Sequence, residues 1–235
     1  MNLRYEDKSK LVNNVFNKVY NKYDLMNDIM SLGTHRMWKK NLISWVNPSK
    51  SNKIIDVASG TGDIARLCSD STNNCCEISC VEPNEKMLFE GKKKLKNLNN
   101  LKWVLSPAEN LPFENDTFDY YIISFGIRNV TDLDKSLNEA YRVLKNGGRF
   151  FCLEFSKVEN ELLKNIYKKY SRLIPKIGKF IAGSGMPYEY LVESIEKFYN
   201  QEEFSKKLID NSFANVEHRN LTNGIAAIHT GWKIE

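Results

Sequence analysis

The 235-residue chain is 42% hydrophobic and 27% charged, the balance of an ordinary globular protein, and at roughly 100 to 200 residues per domain it is expected to form one domain with embellishments. No apolar run approaches the ~20 residues of a membrane span and MNLRYEDKSK is too polar for a secretory leader, so an intracellular, cytoplasmic protein is expected. Cys68, Cys75, Cys76, Cys80 and Cys152 show no CxxC spacing and no nearby histidines, which argues against a disulfide framework and against a bound metal. The net charge of +5 is uneven: residues 157–179 hold seven Lys or Arg against Glu159 and Glu161, a surplus suited to an anionic partner surface.

Residues 8–20 place Leu11, Val12, Val15, Phe16 and Val19 on one helical face, and 34–45 predicts a second helix carrying Trp38, Leu42 and Trp45. Between them, YDLMNDIMSLGTHRMW (23–38) shows no clean strand or helix period. Strands follow at KIIDVA (53–58), EISCVE (77–82), LKWVL (101–105) and FDYYIISF (118–125), interleaved with helical segments; then come a helix over 133–144, the turn KNGG and the strand RFFCLEF (149–155). That alternation predicts an α/β fold with a parallel sheet covered on both faces. VEHRNL (216–221) and IAAIHTGW (225–232) lie too close together for a crossover and are expected to pair antiparallel. A seven-stranded, mostly parallel sheet with an antiparallel C-terminal strand is the Rossmann-like shape of class I methyltransferases. About 45 residues separate Ser156 from Asn200, ahead of a helix over 202–211, more than a crossover requires, and they predict a lid. The expected divisions are an N-terminal helical cap (1–47), a cofactor-binding core (53–155), a substrate-cap insertion (156–200) and a C-terminal helix with hairpin (201–235).

DVASGTGDIA (56–65) follows a strand and opens a helix, where Gly60 and Gly62 let the backbone approach a ligand and the helix N-terminus offers unpaired N–H groups. Gly60, Gly62 and Ala65 also satisfy GxGxxA, a dinucleotide fingerprint, and an empty tight turn is a further reading. Glu82 ends the next strand where a carboxylate can accept two ribose hydroxyls, SPAENLPF (106–113) stands where an adenine edge would lie, and Ser124 and Phe125 end the fourth strand at the same rim. Taken singly, Glu82 can cap the helix after Pro83 and LPF can be core. Asp56, LPF and VLKNGG together favour S-adenosylmethionine over a nicotinamide.

YDLMNDIMSLGTHRMW, SFGIRNVTDLDKSLNEAYRVLKNGG (124–148), LEFSK (153–157) and YEYLVESI (188–195) together resemble the ubiquinone/menaquinone biosynthesis C-methyltransferase family, over about 10–232. The resemblance implies methyl transfer from S-adenosylmethionine to a ring carbon of a polyprenyl benzoquinol or a demethylmenaquinol. It puts cofactor contacts at Thr61, Glu82, Pro107, Ala108 and Ser124. Glu82 stands where the family generally has aspartate, and Pro107 where it has Asn or Asp, so Pro107 forfeits a side-chain acceptor and a backbone donor while the Ala108 N–H stays available.

A sulfonium methyl is already a strong electrophile, so alignment with an electron-rich ring carbon, worth roughly 7 to 11 kcal/mol, is the enzyme's main task. Arg128 and Asn129 are the candidates for holding the ring oxygens, with Arg128 as an electrostatic stabiliser or, alternatively, in an ion pair with Asp24 or Asp132. Tyr23 is a candidate hydrogen-bond donor to substrate or cofactor and Asp24 a candidate for orienting Arg128. His35 is either a base or a satisfied helix-end residue. Met26, Met30 and Met37 suit core or an isoprenoid pocket. The basic segment 157–179, interleaved with apolar residues, reads as a solvated helix or as a contact with anionic lipid. Methylation of another hydrophobic molecule such as a sterol or fatty acyl chain, and a non-catalytic scaffold role, are the rival functions. Assembly as a homodimer or within a quinone-synthesis complex is left open. A nucleic-acid substrate is not expected, because no basic groove with stacking aromatics adjoins the glycine loop.

Overall fold

The computed structural model describes residues 5–19, 23–182 and 185–234. Seven strands, β1 (Lys53–Val57), β2 (Glu77–Glu82), β3 (Leu101–Leu105), β4 (Phe118–Ser124), β5 (Leu144–Phe155), β6 (Ala214–Leu221) and β7 (Ala226–Trp232), form one sheet in the order β3-β2-β1-β4-β5-β7-β6. The β1 residues Ile54, Ile55, Asp56 and Val57 are all buried, as expected for a central parallel strand covered on both faces. β7 runs antiparallel to both neighbours. It does not close the sheet edge; it is slotted between β5 and β6, where its apolar AAI run meets core on both sides.

The helices are α1 (Tyr5–Val19), α2 (Tyr23–Ser31), α3 (His35–Val46), α4 (Asp63–Ser71), α5 (Glu85–Lys94), α6 (Leu133–Val143), α7 (Glu161–Ala182), α8 (Met186–Lys197) and α9 (Gln201–Asp210), with a 3-10 turn at Ile127–Asn129. Local chemistry sets their starts. Asn84 accepts the Met87 N–H at 3.0 Å and Asp132 accepts the Lys135 N–H at 3.0 Å, while Asn200 and Glu203 form a reciprocal capping box.

Two segments differ from expectation. The aperiodic stretch is helical from Tyr23 to Ser31, because Met26 and Met30, one turn apart, form a narrow fully buried stripe with Ile29 packed beside it. Leu32 (φ +50°) and Gly33 (φ +77°) then turn the chain into α3. KNGG is drawn into β5 rather than forming a free turn: the Gly147 N–H donates to Lys233 O at 2.8 Å, and the Lys233 N–H donates to Gly148 O at 2.9 Å.

Strand order reverses between β1 and β4, which opens a crevice at their carboxyl ends. Trp38 from α3 anchors the N-terminal helices beneath that rim, lying edge-on to Phe155 at 5.9 Å and donating from Nε1 to Thr222 Oγ1 at 2.9 Å. α7 and α8 pack on each other and reach back to α2 and α1.

Candidate active site

After β1 the chain winds through three left-handed residues, Ala58, Gly60 and Gly62, before α4 begins. The winding aims the Gly60 N–H at Glu82 Oε2 (2.8 Å), and the Asn84 N–H reaches Glu82 Oε1 (2.9 Å). Glu82 is therefore not a helix cap; Asn84 has that role. A carboxylate offers about four lone-pair directions, so two remain for a ligand. Burial pushes the Glu82 carboxyl up to about 7 in spite of the two donors.

Gly60 lines the crevice, whereas Gly62 serves packing: a Cβ there would lie 2.6 Å from Leu95 Cδ1 and 2.9 Å from Trp103, on a backbone at φ +84°. Gly62→Ala is expected to lower unfolding stability by about 1–3 kcal/mol, measured by urea denaturation, through overpacking and left-handed strain together. A loss below a few tenths of a kcal/mol would mean that the loop relaxes freely.

The crevice encloses about 290 Å³ between Gly60 and Glu82 on one side, Pro107, Ala108 and Glu109 after β3, and Phe125, Gly126, Asn129 and Val130 after β4. Val12, Asn13 and Phe16 of α1 form its roof. Asn84 Nδ2 clasps that roof, donating to Asn13 Oδ1 at 2.7 Å and to Asn17 Oδ1 at 3.1 Å. Thr61 and Ser124 lie in a smaller adjoining chamber with Lys39, Asp56, Ser59 and Asp63; Ala58 and Phe125 face both spaces.

The sequence matches the ubiE/COQ5 methyltransferase family over residues 4–233. It is 49% identical over 237 residues to the ubiquinone/menaquinone biosynthesis C-methyltransferase UbiE of Rickettsia prowazekii, covering 98% of this chain and 95% of that protein. The chain belongs to this family. The protein of the same description from Brucella abortus is 48% identical over 234 residues, covering 97% and 87%. Among solved structures, a SAM-dependent methyltransferase of Thermotoga maritima superposes with a TM-score of 0.70 at 18% identity, over 94% of this chain and 99% of that one. Phosphoethanolamine N-methyltransferase 2 of Haemonchus contortus, solved with S-adenosyl-L-methionine, gives 0.65 at 14% identity over 84% and 52%. The class I methyltransferase fold follows.

S-adenosylmethionine is the cofactor of this methyltransferase, and the residues present fit it. Glu82 keeps acceptor capacity at the crevice wall, and the buried Ser59 Oγ, Ser124 Oγ and Asp56 Oδ1 have no partner among the described residues and lie where a ligand or water can bond them. Asp56 holds the start of α4 by accepting the Ala65 N–H at 3.2 Å, and burial raises its carboxyl to about 8. Of SPAENLPF, only Pro107, Ala108 and Glu109 line the crevice; Leu111 and Phe113 turn into the core, Phe113 edge-on to Phe118 at 4.9 Å.

Arg128 does not pair with Asp132. Nη1 bonds Glu154 Oε1 at 2.6 Å and Phe125 O at 2.8 Å, and Nε bonds Ser194 Oγ at 3.3 Å. Asp132 is taken as the α6 cap, and the Asp24 and Tyr23 side chains lie outside the described residues. Asn129 lines the crevice and accepts the Tyr190 hydroxyl at 3.1 Å, which joins the site to α8. His35 is spent on a clasp between α2 and α3: its Nε2 meets Asp28 Oδ1 at 3.0 Å, Arg36 pairs with the same carboxylate, and burial lowers the imidazole's pKa. Met26 is core, Met37 is exposed, and Met30 is buried core that also borders a third cavity.

Sequence reasoning missed Glu154, although a lone acid inside the buried run FFCLEF demands a partner. It also missed Glu109, whose Oε1 accepts the Thr131 N–H and hydroxyl, both at 2.6 Å, fixing the loop after the 3-10 turn against the crevice. The α1 roof carried a signal as well, since Asn13 and Asn17 sit four apart beside the apolar face.

Proposed function

We propose that this chain transfers a methyl group to a ring carbon of a polyprenyl benzoquinol or a demethylmenaquinol, in ubiquinone or menaquinone synthesis. The observation that carries this reading is a cavity of about 140 Å³ bordered by Met30 of α2, Tyr167 of α7, Val192 and Ile195 of α8, and Ser156 after β5, with Lys157, Lys164 and Glu196 also lining it. Its walls are mainly apolar, yet the buried Ser156 and Tyr167 hydroxyls have no partner among the described residues. An oxygenated ring with a hydrocarbon tail matches that pairing. A sterol or fatty acyl chain matches it less well, having one polar end or none in the ring.

The cofactor supplies an electrophilic methyl; the protein supplies position and charge. Arg128's bonds among the described residues use Nε and Nη1, so the two N–H groups of Nη2 are assigned to a developing phenolate oxygen. Glu154, held by the Phe155 N–H at 2.9 Å, fixes the guanidinium plane. Asn129 is assigned to a ring oxygen, and Tyr23 and Asp24 remain candidates within the cap formed by α1, α2, α7 and α8. Proton removal from the methylated carbon falls to an ordered water or to a group of the 23–38 stretch other than His35.

With S-adenosylmethionine and a short-tailed demethylmenaquinol or benzoquinol, mass spectrometry is expected to find one added methyl on carbon, and Arg128→Ala is expected to reduce kcat about 10²–10³-fold, the usual cost of an oxyanion donor. Methyl on oxygen only, or turnover of a sterol with none of either quinol, would overturn the reading. Wild-type activity of Arg128→Ala in quinone-deficient cells would instead support a scaffold role.

α7 adds a surface function. Ile166 and Leu173 are exposed on a helix that also carries Lys164, Lys169, Arg172 and Lys176, an arrangement suited to delivering an insoluble substrate from an anionic bilayer. No helix among the described residues is long and apolar enough to cross a membrane. Cosedimentation with vesicles containing phosphatidylglycerol is expected to fall about fivefold in Ile166→Asp/Leu173→Asp, since two apolar anchors are lost. Equal binding by the variant would remove this face from the model of delivery.

A further inference from the structure

The 3-10 turn after β4 carries the two residues assigned to the ring oxygens side by side, and one face of α8 holds both of them. Tyr190 and Ser194 stand about one helical turn apart on that face. The Tyr190 hydroxyl donates to Asn129 Oδ1 at 3.1 Å, and Ser194 Oγ accepts from Arg128 Nε at 3.3 Å while its own proton goes to Leu191 O at 2.8 Å. α8 is in turn pinned to the chain after β5, because Lys157 Nζ donates to carbonyls of its last turn, Ile195 O at 2.9 Å and Glu196 O at 2.7 Å.

The two ends of an asparagine amide are not equivalent: Oδ1 accepts, and Nδ2 carries two donors. Asn129 reaches the cofactor crevice, whereas Tyr190 borders the open groove on the other side of the turn, with Arg128 and Ser194. Taking Oδ1 on the groove side turns Nδ2 toward the crevice. The Arg128 cation also acts on the Tyr190 phenol, drawing its oxygen lone pairs and leaving its proton for Asn129. The Asn129 backbone does not choose between the two ends, since its N–H is fixed on Gly126 O at 2.9 Å whichever way the amide faces.

We infer that Tyr190 is a positioning residue for methyl transfer: from α8 it fixes the Asn129 amide with its N–H groups toward the ring oxygen, so that Asn129 and Arg128 both act as donors to the developing phenolate. The inference rests on the quinol reading above. It gives the cap a second task, since α8 orients the donors as well as enclosing the substrate.

Steady-state kinetics on the quinol, with calorimetry of S-adenosylhomocysteine beside them, test it. Tyr190→Phe removes one hydroxyl from a half-buried ring and is expected to lower kcat about tenfold while changing the KM for the quinol by less than about threefold, because the bond serves an interaction made in the transition state. Affinity for S-adenosylhomocysteine and the urea midpoint are expected to stay at wild-type values, which loss of a general packing role would not allow. In an Asn129→Ala background the same change is expected to lower kcat by less than about twofold further. Asn129→Asp, which puts a carboxylate oxygen where the N–H groups stood, is expected to be about tenfold slower than Asn129→Ala, since it faces the phenolate with like charge. Wild-type kcat in Tyr190→Phe, an equal loss with and without Asn129, or an Asn129→Asp enzyme faster than Asn129→Ala would overturn the assignment. If Tyr190→Phe fails to fold, the comparison of Asn129→Asp with Asn129→Ala decides. Absence of methyl transfer to either quinol by the wild type would instead refute the quinol reading, and this inference with it.

Discussion

Glu154→Gln is expected to be among the most damaging single changes in this protein, costing about 3–5 kcal/mol of unfolding free energy. Glu154 is 1% exposed, lies in the middle of the sheet, and accepts from Arg128 Nη1 at 2.6 Å. Burial pushes its carboxyl up, and the Arg128 guanidinium opposes that shift, so the ionised form of Glu154 depends on Arg128. Removing Glu154 leaves the guanidinium charged, dehydrated and without a counter-ion, and removing Arg128 leaves a buried carboxyl that must take up a proton. Urea midpoints of Glu154→Gln, Arg128→Met and the double variant check this, and the double variant is expected to lose less than the two single losses combined. A single-variant cost under 1 kcal/mol would show that the pair is not coupled.

The second large effect concerns Glu82. Glu82→Ala removes an acceptor that two ribose hydroxyls would share, and with charge-assisted bonds worth about 1.5–3 kcal/mol each, S-adenosylhomocysteine is expected to bind about 10²–10⁴-fold more weakly. Glu82→Asp is expected to stay within about tenfold of wild type because only reach changes. The same group sets a pH signature. Its folded pKa of about 7 lies above the ordinary 4.5, so the folded protein holds a proton that the unfolded chain releases earlier. Glu82 therefore opposes stability progressively as pH rises from about 4.5 to 7. Cofactor binding, which favours the ionised form, is expected to strengthen across the same upper range. Calorimetric titrations from pH 5.5 to 8 check this; an affinity independent of pH, or one unchanged in slope by Glu82→Gln, would refute Glu82 as the ribose acceptor.

The central strands were legible because parallel strands buried on both faces spell apolar runs, as β1 does; EISCVE also matches β2 residue for residue, and LKWVL matches β3, a partly exposed edge strand, through its apolar and aromatic residues. Glu82 and the glycine loop were legible because strand-end chemistry is local. α2 was not, since its buried stripe is only Met26 and Met30, with a half-buried Ile29 beside it and a buried Asn27 interrupting it. Arg128's partner was hidden for another reason: Glu154 lies 26 residues away in sequence, and only the parallel pairing of β4 with β5 makes them neighbours. The pairing of Lys39 with Asp63 was hidden likewise, 24 residues apart and starting from a helix that reads as packing.

The slot that β7 occupies has a consequence for how the protein is made. During synthesis β5 pairs with β4 on one side, while its other edge stays bare until residues 226–232 leave the ribosome and seat Ala227 opposite Glu154. Until then the buried acid that orients Arg128 is open to water and β6 has no strand to pair with. A nascent chain can assemble the β3-β2-β1-β4 part of the sheet early, but the β5 edge beside Arg128 is covered only once residues 226–232 are made, and until then it is an unpaired strand edge open to wrong pairing.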